Sequence, residues 1–157
     1  KISQMIKEQE MQYTYEFEMW RGEFAWIAAP FDLVGITQGV DVEDVCESAA
    51  DLLRELAREY LMRGETPPKA TFDHEPSHGG VRLIVSVDVT LDDIEKVSAA
   101  QAAELLGVSR SRVTAMLHSG LLEGWKDGRN TWVAKASIDA RLASRAPAGR
   151  PKAGKRE

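Results

Sequence analysis

The sequence predicts an α+β protein in two parts, a small β-β-α-β domain followed by a mostly helical unit. Three observations carry this expectation. Residues 12–20 and 81–89 alternate apolar and polar side chains, the period of a half-buried strand. Between them, apolar residues at helical spacing run from Asp41 to Arg63. After them, Ser98–Leu122 reads as two short helices joined by a tight turn. The chain has 157 residues, 43% hydrophobic and 29% charged, enough for one ordinary domain or two small ones.

In the first strand Tyr13, Tyr15, Phe17 and Met19 lie on one side, and Thr14, Glu16 and Glu18 on the other. Arg21-Gly22 is read as a short turn into a second strand, Phe24–Ala29, ended by Pro30. Phe31–Gly39 reads as a loop. Asp41 caps the long helix, whose stripe is Val45, Ala49, Leu52, Leu53, Leu56 and Tyr60. Gly64 stops it, and Pro67-Pro68 prevents a restart. Residues 69–80, with His74, His78 and Gly79-Gly80, read as an exposed loop. The third strand, Val81–Val89, is expected to turn Val81, Leu83, Val85, Val87 and Val89 inward. Leu91–Lys96 is a connector.

In the second part Ser98 caps a helix, with Gln101 at capping-box spacing and Gly107 at its end. Val108 plugs the corner. Ser109 caps a second helix on which Val113, Met116 and Leu117 face inward. Ser109, Arg110, Ser111, Arg112 and Thr114 are left near its N-terminal end, where basic and hydroxyl side chains suit base edges and phosphates. Trp125, Asp127-Gly128 and Thr131–Val133 form a hairpin, with Lys126, Arg129 and Asn130 at its tip. A short helix near Ser137–Leu142 closes the unit.

The run Ala-Ala-Glu-Leu-Leu-Gly-Val-Ser-Arg, the Val three residues later, Ser-Gly-Leu-Leu and the basic Gly-Arg tip resemble the winged helix-turn-helix of MerR-type and excisionase-type domains over roughly 97–142. The resemblance implies binding of double-stranded operator DNA. A dimer or higher homo-oligomer is expected, because one short helix reads few base pairs. The alternative is an αα-hairpin with a solvated basic face.

Net charge is −5, but it is divided. Residues 1–95 hold 8 Lys+Arg against 20 Asp+Glu, a net −12; residues 96–157 hold 12 against 5, a net +7. Such a division suggests two partners of opposite charge, or an acidic domain that is simply well solvated. No apolar run approaches the ~20 residues that span a bilayer. No signal peptide is read in the polar leader, and Cys46, the one cysteine, can form no intrachain disulfide, so a cytoplasmic location is expected.

The paired strands, Phe31-Asp32-Leu33, Gly35-Ile36-Thr37-Gln38-Gly39, the acidic start Val42-Glu43-Asp44 and Arg63-Gly64-Glu65 before Pro67 resemble the N-terminal domain of HicB-like antitoxins over roughly 12–90. The resemblance implies a partial RNase H-like fold without nuclease activity, and a small basic HicA-like RNA-cleaving toxin as partner. The domains expected are a leader 1–11, an interaction domain 12–90, a linker 91–97, a DNA-binding domain 98–143 and a disordered basic tail 144–157. The expected function is an antitoxin that neutralises its toxin and represses its own operon. The alternative is a stand-alone regulator, or an excisionase-like recombination factor with an N-terminal dimerisation or sensor domain.

Other constellations point elsewhere only weakly. Glu16, Glu18, Asp32 and Asp88 are candidates to converge on Mg²⁺ as a nuclease would require, but acids on an outer strand face are ordinarily solvated. No enzymatic activity is expected. His74 and His78 have a metal-ligand spacing only on a helix, and they lie among loop residues; neither a metal nor another cofactor is expected. His118 follows the second helix of the DNA-binding unit, in reach of phosphate or of nothing. Cys46 is read as a packing residue. In the tail, Gly149-Arg150-Pro151-Lys152 resembles the centre of an AT-hook, with nonspecific phosphate contact the favoured role.

Overall fold

The alternation at Gln12–Trp20 builds the middle of a four-stranded antiparallel sheet. β1 (Met11–Arg21) pairs on one edge with β2 (Trp26–Pro30) and on the other with β4 (Val81–Val89), and β3 (Thr37–Gly39) pairs with β2. The computed structural model describes residues 10–144, and the chain divides between Ile94 and Glu95 into two compact units. The leader up to residue 9 and the tail from residue 145, including the AT-hook-like residues, lie outside the described residues.

One face of the first sheet makes the core. Tyr13, Tyr15, Phe17, Met19, Ala28, Val85, Val87 and Val89 are buried with Val45, Ala49, Leu53 and Ala57 of α1 (Val42–Arg63). Asp41 accepts the Asp44 N–H at 2.9 Å, and Gly64 ends the helix in the left-handed region, at φ 67°. Leu52, Leu56, Tyr60 and Cys46 pack at the edge of this core. Gly39 lets the chain pass close under the helix start; a Cβ there would stand 2.3 Å from the Val45 nitrogen.

Several expectations need correction. The order is β-β-β-α-β, because Thr37–Gly39 leaves the loop to pair with Trp26–Ala28. The hairpin turn is Gly22–Ala25, since Arg21 pairs with Trp26. Phe24 therefore sits in the turn, 86% exposed, and Pro30 is the last residue of β2. Val81, at the end of the sheet, is 53% exposed rather than inward. In the connector, Lys96 begins a strand, β5 (Lys96–Ser98), of the second unit.

The largest correction concerns the outer face of β1. Glu16 and Glu18 are not solvated there; they are 2% and 3% exposed. Residues 71–80 lie across that face as a strap. The Glu18 carboxylate accepts the backbone N–H groups of Ser77 (3.1 Å), His78 (2.7 Å) and Gly80 (3.2 Å), with the His78 Nδ1 at 3.0 Å. Glu16 Oε2 lies 2.8 Å from His74 Nδ1, and Arg82 is 3.4 Å from its other oxygen. Asp32 accepts the Thr71 N–H at 2.7 Å and lies 3.2 Å from His74 Nε2. The two imidazoles stack on Phe31 and Trp20, with ring centroids 4.4 and 4.0 Å apart.

These contacts set the charge states. Burial pushes the Glu18 carboxyl up, but the hydrogen bonds from His78, Ser77 and Gly80 outweigh it and bring its pKa down to about 2. Burial likewise opposes, and His74 with Arg82 overcomes, in the lowering of Glu16. At Asp32 burial is overcome chiefly by Thr71. The Glu16 hydrogen bond, against some desolvation and with help from Asp32, raises His74 above its ordinary value.

A depressed carboxylate stabilises the fold fully above its ordinary pKa and loses that contribution as pH falls; a raised histidine stabilises below its ordinary pKa and loses it as pH rises. The strap should therefore be best held from about pH 4.5 to 6.5, the ordinary values for Glu and His. Amide hydrogen exchange of residues 71–80 across pH should show greatest protection in that window. Glu18→Ala should destabilise the first unit by about 1–3 kcal/mol in denaturant titration, since it strands three backbone donors.

Candidate nucleic-acid interface

The second unit is assembled from short elements whose ends are set by single residues. α2 (Ala99–Leu106) begins at a capping box: Gln101 N–H donates to Ser98 Oγ at 3.2 Å, and Ser98 N–H donates to Gln101 Oε1 at 2.9 Å. It ends at Gly107, φ 64°, whose N–H bonds Glu104, while Val108 N–H bonds Ala103. α3 (Arg110–His118) starts at Ser109, which accepts the Arg112 N–H at 3.2 Å. Ala102, Ala103 and Leu106 of α2 meet Val113 and Met116 of α3 in a core that also takes Leu122, Val133 and Ile138, with Val108 and Leu117 packed on it.

Beyond α3 the chain forms a hairpin, β6 (Gly124–Asp127) and β7 (Asn130–Ala134), followed by α4 (Lys135–Ser144). Asp127 pairs with Asn130, so the turn has two residues, Gly128 and Arg129. Only Gly128 has positive φ, at 60°, as a type II′ turn requires. β5 pairs with β7 on its other side, giving a three-stranded sheet in the order β5-β7-β6. Lys96 Nζ lies 5.5 Å from the Trp125 ring and 5.9 Å from the Trp132 ring. Gly124 is required by close approach, since a Cβ would lie 2.2 Å from the Trp132 carbonyl oxygen.

Ser109, Arg110, Ser111, Arg112 and Thr114 are exposed on the first turns of α3, and Lys126, Arg129 and Asn130 are exposed at the hairpin. Three of the hydroxyls already have local bonds. Ser109 and Ser111 oxygens are 3.0 Å apart, and Thr114 Oγ1 donates to the Arg110 carbonyl at 3.2 Å. Thr114 therefore offers a ligand its lone pairs and methyl group rather than its proton. His118 lies in the last turn of α3, not after it. Lys96–Ser144 carries 7 Lys+Arg against 4 Asp+Glu, so more than half of the positive excess of this half of the chain lies beyond Ser144.

Three of the four carboxylates considered for a metal take other partners, and the fourth lies apart from them. Glu16 and Asp32 flank His74, Glu18 is held by His78 and its neighbours, and Asp88 stands opposite Gln12 at the far end of β4. Sequence reasoning missed both roles of the histidines, because their partners lie some forty to sixty residues away. It also missed Lys96, whose short strand carries no readable period.

Ser109→Ala should lower the stability of the second unit by about 1 kcal/mol, whereas Ser109→Asp, which keeps a cap, should not; differential scanning calorimetry distinguishes them. Among the described residues no helix is long and apolar enough to cross a membrane. No curated protein and no solved structure gives a significant match to the chain. Residues 97–146 match the family model of a helix-turn-helix domain, the kind of unit that binds DNA.

Proposed function

We propose that the protein is an autorepressing antitoxin: its second unit binds operator DNA and its first neutralises a small basic, HicA-like RNA-cleaving toxin. The observation that carries the DNA-binding part is the helix-turn-helix at 97–146 with Arg110 and Arg112 exposed at the start of its second helix. In this reading α3 enters the major groove, its N-terminal residues reach base edges, and the β6–β7 hairpin is a wing set on phosphates by Lys126, Arg129 and Asn130.

The toxin half of the reading rests on the HicB-like residue order and on charge. Glu43, Glu47, Asp51, Glu55 and Glu59 recur every four residues along α1, all exposed, with Arg54 on Asp51 and Arg63 on Glu59. Such a ridge suits the RNA-binding surface of a basic protein. In this reading the first unit is a partial RNase H-like frame that acts by binding, without catalysis, metal or cofactor, and the protein works as a homodimer in the cytoplasm. A second reading is favoured by the MerR-like and excisionase-like pattern of the second unit, since HicB-like proteins usually carry a ribbon-helix-helix or a phage-repressor-type unit. Here the chain is a stand-alone regulator or recombination factor, and the first unit serves dimerisation or sensing.

Fluorescence anisotropy on the chain's own promoter tests the DNA contacts. Arg110→Ala or Arg112→Ala should cost about 1–3 kcal/mol where the arginine reads a guanine. Lys126→Ala should weaken all sequences evenly and reduce the salt slope by about one. Unchanged affinity in all three would place the groove-facing surface elsewhere. Co-expression with the neighbouring small basic reading frame should give a complex and restore growth; neither outcome leaves the second reading.

A further inference from the structure

β4 is the last strand of its sheet. It pairs with β1 along one edge, and among the described residues no strand pairs with the other. The edge is nine residues long, Val-Arg-Leu-Ile-Val-Ser-Val-Asp-Val, without proline, lysine or glycine. Proteins usually shorten, charge or cover such an edge, because its unpaired N–H and C=O groups template another strand. Ile84, in the middle of its outer face, is 59% exposed.

The sequence of this edge is complementary to itself. Antiparallel pairing of two copies about Val85 sets Arg82 against Asp88 of the second copy, twice by symmetry. Ile84 then meets Ser86, Leu83 meets Val87, and Val81 meets Val89. Arg82, Ile84, Ser86 and Asp88 are all exposed on the face that carries Glu16, and Thr14 Oγ1 and Ser86 Oγ join across it at 2.8 Å. The odd residues face α1. A register centred between residues would set the odd face of one copy beside the even face of the other. Moving the centre by a whole residue keeps the faces but parts Arg82 from Asp88. Only the register about Val85 joins like faces and opposite charges together.

We propose that a second copy of this chain pairs along the free edge of β4, in register about Val85, to give a continuous eight-stranded sheet with two-fold symmetry. This deepens the homodimer of the proposed function, but it stands on the first unit alone. A two-fold pairing makes the contact isologous, so each residue meets its complement on both sides. A single strand pair buries little surface, which places the dimer among weak associations. A DNA site with two half-sites would strengthen it through effective concentration.

The full chain, free of DNA, is examined by sedimentation equilibrium at increasing concentration. A monomer–dimer equilibrium is expected, weakened at least tenfold by Asp88→Arg, which sets two arginines against each other at both ends. The register is read from a double variant, Ile84→Cys with Ser86→Cys, on an otherwise unaltered edge. On oxidation it should give a covalent dimer whose peptide map joins position 84 to position 86 of the other copy, while either single variant should not. A chain that stays monomeric at all concentrations and yields no such cross-link overturns the proposal. So does a dimer indifferent to Asp88→Arg with no 84–86 link. If Asp88→Arg fails to fold, the cross-link decides. Because no DNA is present, loss of operator binding leaves these outcomes unchanged, and a monomer that binds operator DNA overturns the dimer alone.

Discussion

The first unit depends on β1 being used on all four of its sides. Both edges are paired, by β2 and β4, and both faces are covered. Its odd residues supply the apolar contact with α1, which drives the sheet and helix together. Its even residues carry two buried carboxylates, and burial of such groups is costly unless each is fully hydrogen-bonded. The strap meets that requirement with backbone N–H groups and two imidazoles. The path of residues 71–80 is thus dictated by Glu16 and Glu18, and the strap in turn shields the strand that needs it. Apolar burial sets the helix on one face; polar satisfaction sets the strap on the other.

The second unit is governed by different physics. It has a small core, and its elements are too short to be stable helices alone. Their ends are instead specified by local bonds: the capping box at Ser98, the left-handed Gly107 and the cap at Ser109. These fix where α2 stops and α3 starts, and so which residues occupy the exposed first turn of α3. Arg110 and Arg112 are offered to solvent because Val113 and Met116 are claimed by the core. β5 then ties the beginning of the unit to β7, and Gly124 admits the carbonyl of Trp132.

Charge separates the two halves as clearly as contacts do. Among the acids of the first half, Glu16 and Glu18 on β1 are internal and structural, whereas Glu43, Glu47, Asp51, Glu55 and Glu59 along α1 are exposed. The buried pair cannot meet a partner, so net charge overstates the acidic surface of this unit. In the other half, the described residues carry a smaller share of the positive excess than the tail beyond Ser144.

The sequence by itself determined the elements whose signals are local. A period of two marked β1 and β4, a stripe between Asp41 and Gly64 marked α1, and caps with a left-handed glycine marked the α2–α3 turn. The exposure of Arg110 and Arg112 was also legible, because a helical period separates them from an inward Val113 and Met116. Tertiary structure alone decided the rest. β3 and β5 are three residues each, too short for any period, and exist only because neighbouring strands pair with them. The burial of Glu16 and Glu18 was illegible because the groups that satisfy them arrive from His74–Gly80, across a separation in sequence that no local pattern records. A carboxylate on a strand looks solvated until something else folds over it.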